Sequence, residues 1–250
     1  MVCVVAQQKG GVGKTTTAIN VAVLLAHRGE RVLVVDADPQ STLTRQLGLD
    51  VRAPGVNLAD VLAGRATAHD AVVSDVHGVD VIPGAPELAG VEMSLAGEIG
   101  RELFLHAALD PVAPDYEHIV IDTPANLGLL TVNALVCSDI VLAPVNAEDV
   151  ASVQGLVELR AVISELEGLR WTQPRLLALL TRWQPERTVG ELIYHALIRL
   201  GFMPVARIPS RAAFGQSAAA QVPLALTVRD SSVTLAYQQL IDHLVEGVSQ

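Results

Sequence analysis

A short apolar run, Val2 to Ala6, leads into Lys9-Gly10-Gly11-Val12-Gly13-Lys14-Thr15-Thr16, and an amphipathic stretch follows at once. Few folds accept that order. Gly10, Gly11 and Gly13 free the backbone to curl. A helix starting where the curl ends points its unpaired N–H groups and positive dipole end back into it. Strand, glycine-rich turn and helix together make an anion pocket. The helix is predicted over Thr15 to His27, with Ala18, Val21, Ala22 and Leu25 on one face and Gly29 ending it. Arg31 to Val35 then reads as a second buried strand. The unit is strand–helix–strand, and strands apolar throughout need cover on both faces of the sheet.

The same segment holds both lysines of the chain, Lys9 and Lys14; the other fifteen basic side chains are arginine. Lysine is a compact point charge on a flexible stem, whereas guanidinium is a wide planar fork. A backbone wrapped closely around a phosphate has room for the first. Gln8 stands where the strict phosphate-loop pattern has glycine, but the physical content of the loop survives. Lys14 is expected to reach the β- and γ-phosphates of a nucleotide, and the Thr15 hydroxyl to coordinate Mg²⁺.

Further along, Asn57 reads as the N-cap of a short helix through Leu62, and Val79 to Ile82 as a strand closed by Pro83-Gly84. A helical stretch from Pro86 to Leu109 is broken near Gly97 to Gly100. His118 to Ile121, Ile140 to Val145, Arg175 to Leu180 and Pro204 to Ile208 read as strands. Leu127 to Cys137, Val150 to Leu166, Val189 to Leu200 and Ser232 to Val248 read as helices. No repeat or linker divides them. The expected fold is α/β: residues 1–250 as one doubly wound domain, a mostly parallel sheet with helices on both faces.

Half of the 250 residues are apolar and mean hydropathy is +0.40, so a large core is affordable. No run of about eighteen apolar residues suggests a membrane span. Cys3 and Cys137 are too few for a disulfide framework and form no C-x-x-C pair. No basic leader precedes an apolar segment, so a cytosolic protein is expected. The net charge of −10 is uneven. Residues 1–169 carry nine basic against twenty-two acidic side chains, a net of −13, while residues 170–250 carry eight against five, a net of +3. Nucleic acid is not expected to bind over the whole surface, but an arginine patch towards the C-terminus can bind it locally.

Two acids stand at strand ends: Asp36 and Asp38 in Asp36-Ala37-Asp38-Pro39-Gln40, and Asp122 in Ile121-Asp122-Thr123-Pro124. With the glycine-rich loop, these segments resemble the ParA/MinD family of P-loop ATPases with a deviant Walker A motif, over nearly the whole chain. The resemblance implies ATP and Mg²⁺ as ligands and roles for single residues. Lys9 is the signature lysine, which crosses a homodimer interface to the partner subunit's nucleotide and stabilises phosphoryl transfer as an arginine finger does. Asp38 orients the attacking water. Asp36 organises the loop or holds a water in the metal's outer shell, and Asp38 and Asp122 hold Mg²⁺ through water. Thr123 to Asn126 form a switch segment sensing the γ-phosphate. Thr181, Arg182 and Pro209 flank the adenine, while Trp183 is read as a packed aromatic.

Within the family the chain is most similar to the short ParA/Soj type. The iron-protein branch needs cluster cysteines absent here, and a MinD-type membrane helix needs basic flanks that the terminal helix lacks. With the first strand at Val2, no helix-turn-helix extension is expected. The resemblance implies an ATP dimer on non-specific DNA of the nucleoid, with Arg199, Arg207, Arg211 and Arg229 as candidate contacts. It also implies a ParB-like partner that stimulates hydrolysis and a plasmid, chromosome origin or other cargo. Relatives commonly carry Asn-x-Arg-x-x-Glu-Ala-Pro after the Ile-Pro; here Ala213 replaces the arginine and Gln216 the glutamate. That departure and the acidic N-terminal part favour the alternative, a nucleotide-gated protein-binding scaffold that does not act through DNA.

Overall fold

The computed structural model describes residues 1–53, 55–166, 174–227 and 232–246. Its strands are β1 (Val2–Val5), β2 (Val32–Asp36), β3 (Val73–Val76), β4 (Val79–Ile82), β5 (His118–Asp122), β6 (Ile140–Asn146), β7 (Arg175–Trp183) and β8 (Ala206–Pro209). They form one sheet in the order β3-β4-β2-β5-β1-β6-β7-β8. Every pairing is parallel except β3 with β4. The helices are α1 (Lys14–Ala26), α2 (Thr42–Gln46), α3 (Leu58–Leu62), α4 (Ala68–Ala71), α5 (Leu88–Leu95), α6 (Phe104–Leu109), α7 (Leu129–Cys137), α8 (Ala151–Glu165), α9 (Thr188–Arg199), α10 (Ala213–Ala220), α11 (Leu224–Thr227) and α12 (Ser232–Glu246).

Side chains alternate across a strand, so one buried strand feeds two apolar layers. Val4 of β1 belongs to the layer holding Leu156 and Leu159 of α8, Leu197 of α9 and Leu88 of α5. Cys3 and Val5 belong to the other, with Val21 and Leu25 of α1 and Leu240 and Leu244 of α12. The expected doubly wound sheet is what these two layers enclose. The apolar face of α12 is spent on the core: Val233, Tyr237, Leu240, Ile241 and Leu244 are all at most 2% exposed. Among the described residues no helix is long and apolar enough to cross a membrane.

Most boundaries fall within a few residues of those expected. Asn57 caps α3 in a reciprocal capping box with Asp60, an arrangement contributing about 1 kcal/mol. Other features carry no apolar periodicity and so are not foreshadowed. The edge strand β3 is exposed or half-exposed throughout and turns into β4 through His77-Gly78, both at positive φ, as a two-residue hairpin needs. The short α2, α4 and α11 and the alanine-rich α10, which buries no residue, are similarly silent. Strand β7 runs on to Trp183, past the expected end at Leu180. Val248, the expected end of the last helix, lies outside the described residues.

The carboxyl ends of β1, β2, β5, β6 and β7 open on one edge, and the strand order turns about β1. Open α/β sheets place their ligand crevice at that point.

Candidate functional site

The loop after β1 fits an anion by its backbone. Gly11 and Gly13 have φ of +72° and +94°, a region that favours glycine, and Gly13 opens α1. Helices α3 and α4 close their N-termini with capping boxes and an acid in the first turn. Helix α1 has no side-chain cap and no acid there, so its first N–H groups and its dipole face the loop unanswered. The loop itself is tied down from outside. Gln7 is fully buried and donates to Ser152 O at 3.1 Å, Gln8 reaches the Glu158 carboxylate of α8, and Thr181 Oγ1 donates to Val12 O at 2.8 Å. Gln8 is therefore an anchor on the neighbouring helix.

The two lysines part company. Lys14 is 7% exposed, and its Nζ donates to Lys9 O at 3.4 Å. Burial pulls its ammonium below the ordinary lysine range, while the charges of Asp122 and Asp38 oppose that. Lys9 turns outward: its side chain is 44% exposed and its Nζ lies 3.2 Å from Asp149 Oδ2.

Three acids lie behind the loop. Asp122, fully buried, accepts the Thr15 hydroxyl at 2.7 Å on Oδ2, and its Oδ1 has no hydrogen-bond partner. Burial, then the Asp36 charge, hold it well above the usual carboxylate range. An orphaned buried carboxylate oxygen beside a threonine hydroxyl fits a hydrated divalent cation. Among the described residues no three His, Cys, Asp or Glu side chains cluster as a metal site. Asp36 is also fully buried, and burial raises its pKa to about 6 against the donors that stabilise its charge. Its Oδ2 accepts Thr44 Oγ1 at 2.6 Å and Thr44 N at 2.9 Å, and Thr44 Oγ1 accepts Gly84 N at 2.9 Å. Asp36 thus organises the ends of β2 and β4. Asp38 is only half-buried, accepts Gln40 N at 2.8 Å and acts electrostatically on Lys14. In the segment after β5, Thr123 Oγ1 donates inward to Val5 O at 2.9 Å, while Ala125 and Asn126 are exposed.

Beside the loop lies a cavity of about 300 Å³ lined by Gly11, Val12, Gly13 and Thr16 from the loop and α1, and by Thr181, Arg182, Ile208, Ser210, Arg211, Phe214 and Tyr237. Thr181 and Arg182, expected from the resemblance to flank the adenine, both line this cavity. At the strand end the lining is made by Ile208 and Ser210, the neighbours of Pro209. Phe214 and Tyr237 also line the cavity, and no sequence signal marks them. Phe214 sits on a helix without apolar periodicity, and Tyr237 has the spacing of an ordinary core residue of α12.

A family model described as "AAA domain" matches residues 1–174. Over 156 residues the chain is 44% identical to the sporulation initiation inhibitor protein Soj of Bacillus subtilis, covering 62% of this chain and 61% of that protein. Over 170 residues it is 42% identical to the chromosome partitioning protein ParA of Caulobacter vibrioides, covering 67% and 63%. The chain belongs to the ParA/MinD family of P-loop ATPases. It spans about three fifths of the length of these ParA/Soj relatives. Among solved structures it is similar to cobyrinic acid a,c-diamide synthase from Mycobacterium smegmatis with bound ATP analogue and magnesium, at 30% identity and a TM-score of 0.87, covering 100% of this chain and 96% of that one.

The arginines expected from the ParA/MinD resemblance to touch DNA fall in different places. Arg211 lines the cavity and donates to Ser210 O at 3.0 Å. Arg199 is exposed on α9, and Arg207 is exposed on β8 against two aromatic rings. Arg229 lies outside the described residues. Trp183 is buried on the sheet face opposite α1 and α12, as a packed aromatic.

Proposed function

We propose that this chain is an ATPase that pairs through ATP, binds DNA non-specifically as the dimer and positions a plasmid, chromosome origin or other cargo. A ParB-like partner stimulates its hydrolysis, and it works in the cytoplasm on the nucleoid. The observation that carries the reading is the divergence of the two lysines. Lys14 turns in towards Asp122, while Lys9 stands half exposed at the mouth of the loop. A surface ion pair contributes about 0–1 kcal/mol, so Asp149 restrains Lys9 weakly and a partner's phosphates displace it easily.

In this reading the α1 N-terminus and the Gly11 and Gly13 backbone hold the phosphates, with Lys14 on the β- and γ-oxygens. Thr15 and Asp122 hold Mg²⁺, the latter through water. That ion would neutralise charge on the transferring phosphoryl group. Asp38, with an exposed edge at the strand end, orients the attacking water. Lys9 of the partner subunit completes the charge around the γ-phosphate, so hydrolysis depends on pairing. Thr181, Arg182 and the segment around Pro209 flank the base. The bound ATP analogue and magnesium of the M. smegmatis structure support the choice of nucleotide and ion.

The test is duplex binding in apo, ADP and ATP states across a salt series. Binding is expected with ATP alone and to weaken steeply with salt. ATP dimers without affinity for DNA at low salt would instead support the scaffold alternative.

A further inference from the structure

Helix α7 follows the segment after β5 and has little of its own to close its N-terminus. Its N-cap is Gly128, it has no side-chain cap, and no acid stands in its first turn. Two acceptors from outside the helix close it instead. Asn126 Oδ1 accepts Gly128 N at 2.8 Å, and Glu92 Oε1 of α5 accepts Leu130 N at 3.2 Å. A carboxylate at that place is favoured by its charge and by the helix dipole together.

Helical spacing puts Glu92 there. Leu88, Val91 and Leu95 form the buried face of α5 and share one apolar layer with Leu130 and Ala134 of α7. Glu92 follows Val91 at the edge of that face, half-buried, where α5 meets the start of α7. Gly128 leaves it room: a Cβ there would lie 2.6 Å from Glu92 Oε1 and 2.9 Å from Asn126 Oδ1.

The segment between β5 and α7 is thereby held at both ends. Thr123 Oγ1 donates to Val5 O at 2.9 Å, and Thr131 Oγ1 donates to Asn126 O at 2.8 Å. Between these ties Ala125 comes against the phosphate loop, its Cβ 4.0 Å from where a Cβ of Gly10 would stand. A shift in the first turn of α7 therefore reaches the loop at the residue after Lys9.

We propose that Glu92 is a positioning residue for ATP hydrolysis, which fixes the first turn of α7 and so sets residues 123–126 against the phosphate loop. This rests on the ATPase reading above. Glu92 does not line the nucleotide cavity and acts through the backbone of Gly128 and Leu130.

The test compares the wild type with Glu92→Met, Glu92→Gln and Glu98→Met, by steady-state ATP hydrolysis and by hydrogen exchange of residues 123–132. Methionine keeps the length and helix propensity of the side chain and removes the acceptor. Glutamine keeps a carbonyl for the Leu130 N–H. Glu98, an exposed acid beyond the end of α5, controls for the lost charge. Glu92→Met is expected to lower kcat roughly tenfold with KM for ATP unchanged, because other groups hold the nucleotide. Exchange across 123–132 rises about tenfold as the first turn of α7 opens. Glu92→Gln recovers most of kcat and the slow exchange, and Glu98→Met behaves as the wild type.

Wild-type kcat in Glu92→Met overturns the proposal and leaves the ATPase reading standing, whatever the exchange shows. An equal loss in Glu98→Met overturns it too, since the effect then belongs to surface charge. Should Glu92→Met fail to fold, Gly128→Ala crowds the carboxylate off its place, and wild-type kcat in that variant overturns the proposal equally. A wild type that hydrolyses no ATP overturns both.

Discussion

The two ends of the cavity are built on different principles. At the loop end, the proposed phosphate end, the lining is the glycine-rich backbone and the start of α1, and a buried lysine and two fully buried aspartates on adjacent strand ends lie behind it. At the other end Arg182, Arg211 and Phe214 come from strand-end segments and α10, exposed or half-exposed, with Arg182 at a φ of +53°. The phosphate end is determined by the sheet and the glycines and tolerates little change. The other end is assembled from side chains that yield one at a time. Substitutions should therefore fail abruptly at one end and in graded fashion at the other.

Lys14→Ala has the largest expected effect: nucleotide affinity falls about 100-fold or more, read by titration with a fluorescent ATP analogue. Retained affinity would break the comparison, since the buried charge would then be dispensable. Asp38→Ala is expected to slow hydrolysis by about 100-fold while ATP still binds, accumulating the ATP dimer. Phe214→Ala should weaken ATP binding about tenfold, the worth of one base–aromatic stack, with kcat unchanged. A loss as large as that of Lys14→Ala would show that this end is as rigid as the other.

Behind the phosphate end, Gly84→Ala sets a Cβ 2.8 Å from the Asp36 carboxyl carbon and main-chain oxygen. Overpacking of that kind destabilises by about 1–3 kcal/mol, measurable by chemical denaturation. The smallest effect concerns Cys3 in β1, whose thiol burial pushes up to about 12. A thiol raised in the folded state leaves stability flat below the unfolded value near 8.5 and lowers it as pH rises towards 12. At pH 8 Cys3 should resist alkylation until the protein unfolds.

The same contrast explains what was legible in the sequence. The phosphate loop, Asp36, Asp38 and Asp122 follow apolar strands whose ends converge in any parallel sheet, so residue type and position sufficed. Gln8 as an anchor to Glu158, and the Asp36–Thr44–Gly84 network, depend on contacts between distant segments. Phe214 and Tyr237 are hidden for a related reason: one sits on a helix that buries nothing, the other among core residues it resembles. The arginines read as one patch in the sequence because charge alone is visible there. Only the fold separates Arg211 in the cavity from Arg207 on its two rings.

The central claim is that Lys9 serves the nucleotide of the partner subunit, and mixing two inactive proteins tests it most directly. Lys9→Ala keeps an intact site and lacks the donated lysine; Asp38→Ala keeps the lysine and cannot hydrolyse. If Lys9 acts across the interface, each alone is nearly inactive. The mixture then recovers ATPase activity, with a maximum near equal amounts, because each mixed dimer holds one complete site. A mixture no more active than its components would contradict the account and assign Lys9 to its own subunit.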